Sequence, residues 1–158
     1  MPRSSVSQLD ESIDPVRAYG MITLSKEYLA AARVVRDSHN GISRVSYYLC
    51  GHSLELSLKA VLVGSRTSER TLRRIGHNLY AAVSAAETAS DPMRARITNT
   101  HRAVLDLFAP YYDSKVYEYH APGKASWPKI ADLDEFCAVV LLEATSEVKR
   151  MVSLGPAT

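Results

Sequence analysis

Residues 47–63, YYLCGHSLELSLKAVLV, constrain the fold more than any other stretch of the chain. At 100° per residue, Leu49, Leu54, Leu56, Leu58, Ala60, Leu62 and Val63 cover nearly the whole circumference of a helix. Tyr48, His52, Glu55 and Lys59 share the one remaining stripe. A helix apolar on almost every side belongs at the centre of a domain. Ionisable groups on it must be paired, or must line a pocket or an interface, because an isolated buried charge costs several kcal/mol. The stripe is therefore the first candidate for function.

The rest of the chain must supply helices to surround this one. Asp14 followed by Pro15 is an N-cap and first-turn proline, and Val16, Tyr19, Ile22, Leu29, Ala32 and Val35 continue with helical period, which predicts a helix over 15–37. His39, Asn40 and Gly41 break it, and Ser43 caps the central helix, expected over 43–63 with Gly64 as its terminating glycine. A polar turn at 67–74 leads to GHNL, in which Asn78 can accept free backbone donors, and to an alanine-rich helix over 79–89. Asp91 and Pro92 repeat the cap-then-proline signal for a helix running through Phe108. YYDSKVYEYHAPGKASWPK has no helical or strand period, but its tyrosines and Trp127 predict an ordered loop packed on the helices. Asp132 and Glu135 resemble a capping box for a last helix ending near 152, before Gly155 and Pro156. No segment alternates like a strand, so the fold expected is all-α: a bundle of about five helices with a long Tyr/Pro-rich loop before the last.

A chain of 158 residues is long enough for one core, so a single domain is expected over 14–154 after a polar tail over 1–13. That tail has no apolar segment of the signal-peptide type, and no apolar run approaches the ~18 residues that span a bilayer, so a cytoplasmic location with no membrane partner is expected. Cys50 and Cys137 both sit in apolar helical patterns and read as reduced, inert thiols. Nineteen basic against seventeen acidic residues is too even a balance for a general grip on nucleic acid. Arg66, Arg70, Arg73 and Arg74, and again Arg94, Arg96 and Arg102, nevertheless form local basic clusters able to meet phosphate.

HSLELSLKA on the central helix, GHNL before the alanine-rich helix, and YYDSKVYEY before a proline loop resemble the HEPN domain superfamily, in element order over roughly residues 15–152. The resemblance implies a small helical bundle that commonly forms homodimers. It also implies a role in RNA cleavage, in toxin–antitoxin or other defence systems, or in nucleotide binding beside a nucleotidyltransferase. HEPN ribonucleases carry an arginine, then four to six intervening residues, then a histidine, with a polar residue often directly after the arginine. Arg96 and His101 in RITNTH fit that spacing, as do Arg94 with His101, Arg70 with His77 and Arg33 with His39. Ile97 after Arg96 departs from the pattern, and on one regular helix positions five apart diverge by about 140°.

Three functional readings compete. The first is a HEPN-like binding or regulatory module, non-enzymatic or catalytically lapsed, homodimeric, with RNA, a nucleotide or a cognate protein as partner. The second is a metal-independent endoribonuclease with His101 as general acid or base and Arg96, or Arg94, stabilising the developing charge. The third is a pocket for a small anion, walled by Tyr48, His52, Glu55, Lys59 and His77. Against it stands a structural role for the same residues, with Glu55 and Lys59 as an ion pair one helical turn apart and His52 bonded to a tyrosine or backbone group. No cofactor is expected. His52, Glu55 and His77 lack the further inward carboxylates that a metal-bridged bundle needs, so no metal is expected either.

Overall fold

A computed structural model describes residues 14–40, 42–115 and 126–154. The expected tail over 1–13, the middle of the Tyr/Pro-rich loop with Tyr117, Tyr119 and Lys124, and the closing Gly155 and Pro156 lie outside the described residues. Among those residues the chain is all-helical, with no strand: α1 (Pro15–Ser38), α2 (Arg44–Gly64), α3 (Glu69–Ile75), α4 (Leu79–Ala89), α5 (Asp91–Arg96), α6 (Asn99–Asp113) and α7 (Ile130–Ser153). No helix among them is long and apolar enough to cross a membrane.

Short polar side chains start most of these helices. Asp14 accepts from the Arg17 amide at 2.9 Å, Ser43 from Ser46 at 3.3 Å, Asn78 from Ala81 at 2.9 Å and Ser90 from Met93 at 3.1 Å. Each such cap contributes about 1 kcal/mol by satisfying an amide that the helix itself cannot. α7 differs from expectation: it begins at Ile130 after Lys129, with no side-chain cap, and Asp132 sits in its first turn. Glu135, expected to reach back to Asp132's amide, is bonded to His101 instead.

Three further boundaries differ from the sequence reading. The polar turn at 67–74 contains a real helix, α3, capped by Ser68 and ended by Gly76 at φ 54°, a left-handed conformation that favours glycine. Gly64 is the last residue of α2, and Arg66, at φ 63°, takes the left-handed position. The helix expected from Asp91 through Phe108 is two helices, because Ile97 and Thr98 are extended. Thr98 then caps α6, which runs through Pro110 to Asp113.

α2 is the hub. It is buried along most of its length and packs on α1, α4 and α7. α1 and α2 run antiparallel with small residues at the seam: Ser25 Oγ donates to the Ser53 carbonyl at 2.8 Å and lies 2.7 Å from Ser57 Oγ, while Ser46 Oγ donates to the Ala32 carbonyl at 2.9 Å. α6 lies close to α2 at Gly51, where a Cβ would overlap the Tyr112 ring and touch Phe108. Cys137 on α7 bonds the Cys50 carbonyl of α2 at 3.4 Å; both cysteines are buried free thiols, and the hydrogen bond with the Cys50 thiol, together with burial, holds the Cys137 thiol well above its ordinary pKa.

Carboxylates on α7 tie it to its neighbours. Asp134 takes Arg33 of α1 through two bonds at 2.8 and 2.9 Å, Glu135 takes His101 of α6, Glu143 takes Arg96 of α5, and Glu147 takes Ser90 Oγ at 2.7 Å together with Arg150. The ends of the Tyr/Pro-rich loop are held down: Tyr47 donates to the Pro128 carbonyl at 2.6 Å, and Trp127 packs on the rings of Tyr47 and Tyr111 beneath the Arg44 guanidinium.

Candidate functional site

The four stripe residues of α2 and His77 form one connected network in the structure, joined by Tyr112 of α6. Glu55, 4% exposed, is its centre. Oε1 accepts from Lys59 Nζ at 2.6 Å, Oε2 accepts from the Tyr112 hydroxyl at 2.7 Å, and His77 Nδ1 lies 3.0 and 3.1 Å from the two oxygens. Because a carboxylate can only accept, the Tyr112 proton goes to Glu55 and its oxygen is left to accept from His52 Nδ1 at 3.0 Å. With the imidazole neutral, His52 Nε2 then accepts from Tyr48 at 2.7 Å. These donor roles are assigned from the acceptor order. The result is a directed chain, Tyr48 to His52 to Tyr112 to Glu55, that meets Lys59 and His77 at the carboxylate. Tyr28 of α1 packs on the His52 ring at a tilt of 42°, with ring centroids 5.1 Å apart.

The electrostatics follow from this wiring. Burial alone raises the pKa of Glu55, but the hydrogen bonds from Lys59, His77 and Tyr112 outweigh it and hold the carboxyl below its ordinary value. Burial beside the Glu55 charge drives the Tyr112 phenol far above its ordinary value, so it stays a donor at every working pH. Asp113, next to Tyr112, is raised by burial and accepts from the Leu79 amide at the start of α4, close to His77.

As a wall for an anion, the cluster offers little unspent charge. The Lys59 ammonium is already on Glu55, and an incoming anion would have to compete with that carboxylate at 2.6 Å. His77 is the most accessible member, its side chain 61% exposed. Among the described residues no cluster of three His, Cys, Asp or Glu side chains has metal-binding geometry. His52 and Glu55 are joined through Tyr112.

Arg96 and His101 are not brought together. Arg96 ends α5, its side chain 61% exposed, and binds Glu143 at 3.0 Å. His101 is the third residue of α6 and 6% exposed. Its Nδ1 accepts from the Thr98 amide at 3.1 Å while its own amide donates to Thr98 Oγ1 at 3.4 Å, a capping box built with histidine. Nε2 donates to Glu135 at 2.9 Å, and the ring stacks on Phe136 at 5.0 Å, 11° from parallel. Arg94 turns back to Asp91 at 3.2 Å and to the Glu87 carbonyl. Arg102 pairs with Glu87. The Arg94, Arg96 and Arg102 cluster is thus matched by acids.

Sequence reasoning missed Tyr112, which it left in the loop, and Tyr28. The signal for Tyr112 was available: His101, Val104, Leu105, Phe108 and Tyr112 keep one helical face, and only Pro110 argued for a break. Family models, curated proteins and solved structures were all compared with this chain, and none matches it.

Proposed function

We propose that this chain is a HEPN-like helical module that binds or regulates a partner and has no ribonuclease activity of its own. In this reading α1, α2, α4, α6 and α7 are the five bundle helices, with α3 and α5 as short connectors. The module acts in the cytoplasm as a homodimer within a defence or toxin–antitoxin type of system, with RNA, a nucleotide or a cognate protein as partner.

The observation that carries the reading is the separation of Arg96 from His101. A general acid or base needs a nitrogen free to exchange a proton with the substrate, and a charge-stabilising arginine must face the same phosphate. Both nitrogens of His101 are engaged inside the protein, one by a backbone amide and the other by Glu135. Arg96 is held by a different carboxylate on another turn of α7. The Glu55 network fits the reading as the polar brace between α2, α4 and α6.

The test is cleavage of a mixed structured RNA by the pure protein in EDTA, beside His101→Ala purified identically. Neither preparation is expected to cleave. Cleavage by the wild type that disappears in a folded His101→Ala protein overturns the reading in favour of the endoribonuclease. Light scattering on the same sample measures the dimer. A thermal shift with small anions, compared between wild type and Lys59→Ala, tests the α2 stripe as a pocket, and an upward shift that vanishes in the variant would establish it.

A further inference from the structure

An open groove of about 680 Å³ lies between the C-terminal end of α2, α3 and α4, apart from the Glu55 network and from His101. That volume falls within the ~300–1,000 Å³ typical of small-molecule sites. Its floor is apolar, with Leu62, Ile75, Ala81 and Ala85, and its walls carry hydroxyls and one cation, Arg74. None of its lining residues among those described is acidic.

The charge pattern singles out this groove. Every arginine on α1, α5, α6 and α7 faces a carboxylate: Arg17 and Arg33, for instance, meet Glu69 and Asp134, and Arg96 and Arg150 meet Glu143 and Glu147. Arg74 is exposed and has no such partner among the described residues. Thr71 lies three positions before it, so the two share a face of α3. Thr71 Oγ1 accepts from Ser68 Oγ at 3.0 Å, which leaves its own proton to give. One face therefore presents a guanidinium fork and a hydroxyl donor, both unspent, over an acid-free hollow. Arg70, one turn before Arg74 on the same helix, adds positive charge nearby.

We propose that this groove binds a phosphate monoester of mononucleotide size. The phosphate sits on Arg74 and Thr71, and the flat or hydroxylated body lies on the alanine floor of α4 beside Ser84. A carboxylate is satisfied by the guanidinium fork alone, whereas a phosphate monoester has a third terminal oxygen for the threonine hydroxyl. The small side chains of Ala81 and Ala85 keep the floor open to a ring. The inference rests on the function proposed above only in taking a nucleotide as the partner; it needs neither a dimer nor RNA, and its failure would leave the RNA-cleavage test unaffected.

The experiment is a titration of the ¹⁵N-labelled full chain with adenosine 5′-monophosphate, adenosine and inorganic phosphate, read by amide shifts. The monophosphate should move the amides of residues 71–75 and 81–89, with adenosine and phosphate each giving much less. Arg74→Glu, on an exposed side chain, should weaken binding about ten- to a hundredfold, the loss expected for a charged hydrogen-bonding group. Ala85→Phe should fill the groove and abolish the shifts, while Arg94→Glu on α5 should leave them unchanged. The proposal is overturned by an absence of shifts at about 10 mM monophosphate, by shifts that persist in Arg74→Glu, or by scattered shifts that inorganic phosphate reproduces. It is overturned equally if a glutamate-rich peptide moves these amides and the monophosphate does not, since the groove would then be a protein-docking surface.

Discussion

Lys59→Met isolates the balance on which the Glu55 network rests. The substitution keeps the apolar stem and removes the cation that sits 2.6 Å from Glu55. Removing one partner of a buried ion pair costs about 3–5 kcal/mol. Here the Glu55 side chain is 6% exposed and that of Lys59 17%, and Tyr112 and His77 still donate to the carboxylate. The loss should therefore be about 2–3 kcal/mol near pH 8, or about 4–12 °C in Tm for a chain of this length. Its pH dependence is the sharper test. In the wild type the Glu55 pKa is lowered on folding, so the unfolded chain binds more protons and stability rises with pH, the contribution being complete above the ordinary value of 4.5 and lost as pH falls below it. Without Lys59 the largest of the opposing bonds is lost while the burial stays, so the folded pKa should move upward and the gain in stability with rising pH should shrink. The groups facing Glu55 are Lys59, His77 and Tyr112, with Asp113 beyond His77. Urea unfolding followed by circular dichroism should give a destabilisation at pH 5 less than half that at pH 8. An equal loss at both pH values, or one below about 1 kcal/mol at pH 8, would refute the idea that Lys59 holds a buried charge in place.

Three other perturbations separate packing from capping. His101→Ala should cost about 2 kcal/mol through the orphaned Thr98 amide and the lost stack on Phe136, whereas His101→Gln should recover roughly half, because glutamine at this position rebuilds the capping box; equal thermal stability of the two variants would contradict this. Gly51→Ala should destabilise by about 2 kcal/mol despite its better helix propensity, since the new methyl overlaps the Tyr112 ring, while Gly20→Ala, with nothing within 4 Å, should stabilise by about 0.5–1 kcal/mol in the same denaturation assay. Cys50 and Cys137 should react with a thiol reagent only as fast as the native state opens, so labelling should quicken in step with each destabilising variant.

What was legible in the sequence is what depends on neighbours within one turn. The caps at Asp14, Ser43 and Asn78, the i,i+4 pair of Glu55 and Lys59, and the burial of α2 all follow from local spacing, and the structure contains them. The boundaries that went astray depend on distant partners. Thr98 starts a new helix because His101 closes the box behind it and Glu135, thirty-four residues on, holds the far side of the ring. Continuous helical periodicity through 91–108 carries no trace of that contact. The sequence reading ends this helix at Phe108, yet α6 runs on through Pro110, and Tyr112, two residues further along, packs on α2 and bonds Glu55.

The same division applies to function. The α2 stripe could be read as a set because its members share one helix face, but its meaning turns on Tyr112, which arrives from α6. With Tyr112 in place Glu55 is saturated, and Lys59 becomes a counter-ion to an internal charge. The arginine clusters show the converse. Arg94, Arg96 and Arg102 look like a phosphate patch in sequence, but acids more than a turn away, or on another helix, neutralise two of them, Glu143 for Arg96 and Glu87 for Arg102. Arg74 belongs to a cluster of the same appearance and, among the described residues, keeps its charge unmatched over a hollow lined by no acid. Spacing identifies which charges share a face, and only the fold identifies which of them remain unspent. Where those two disagree, at Arg96, the charge goes to holding α5 against α7; where they agree, at Arg74, it is left to meet a ligand.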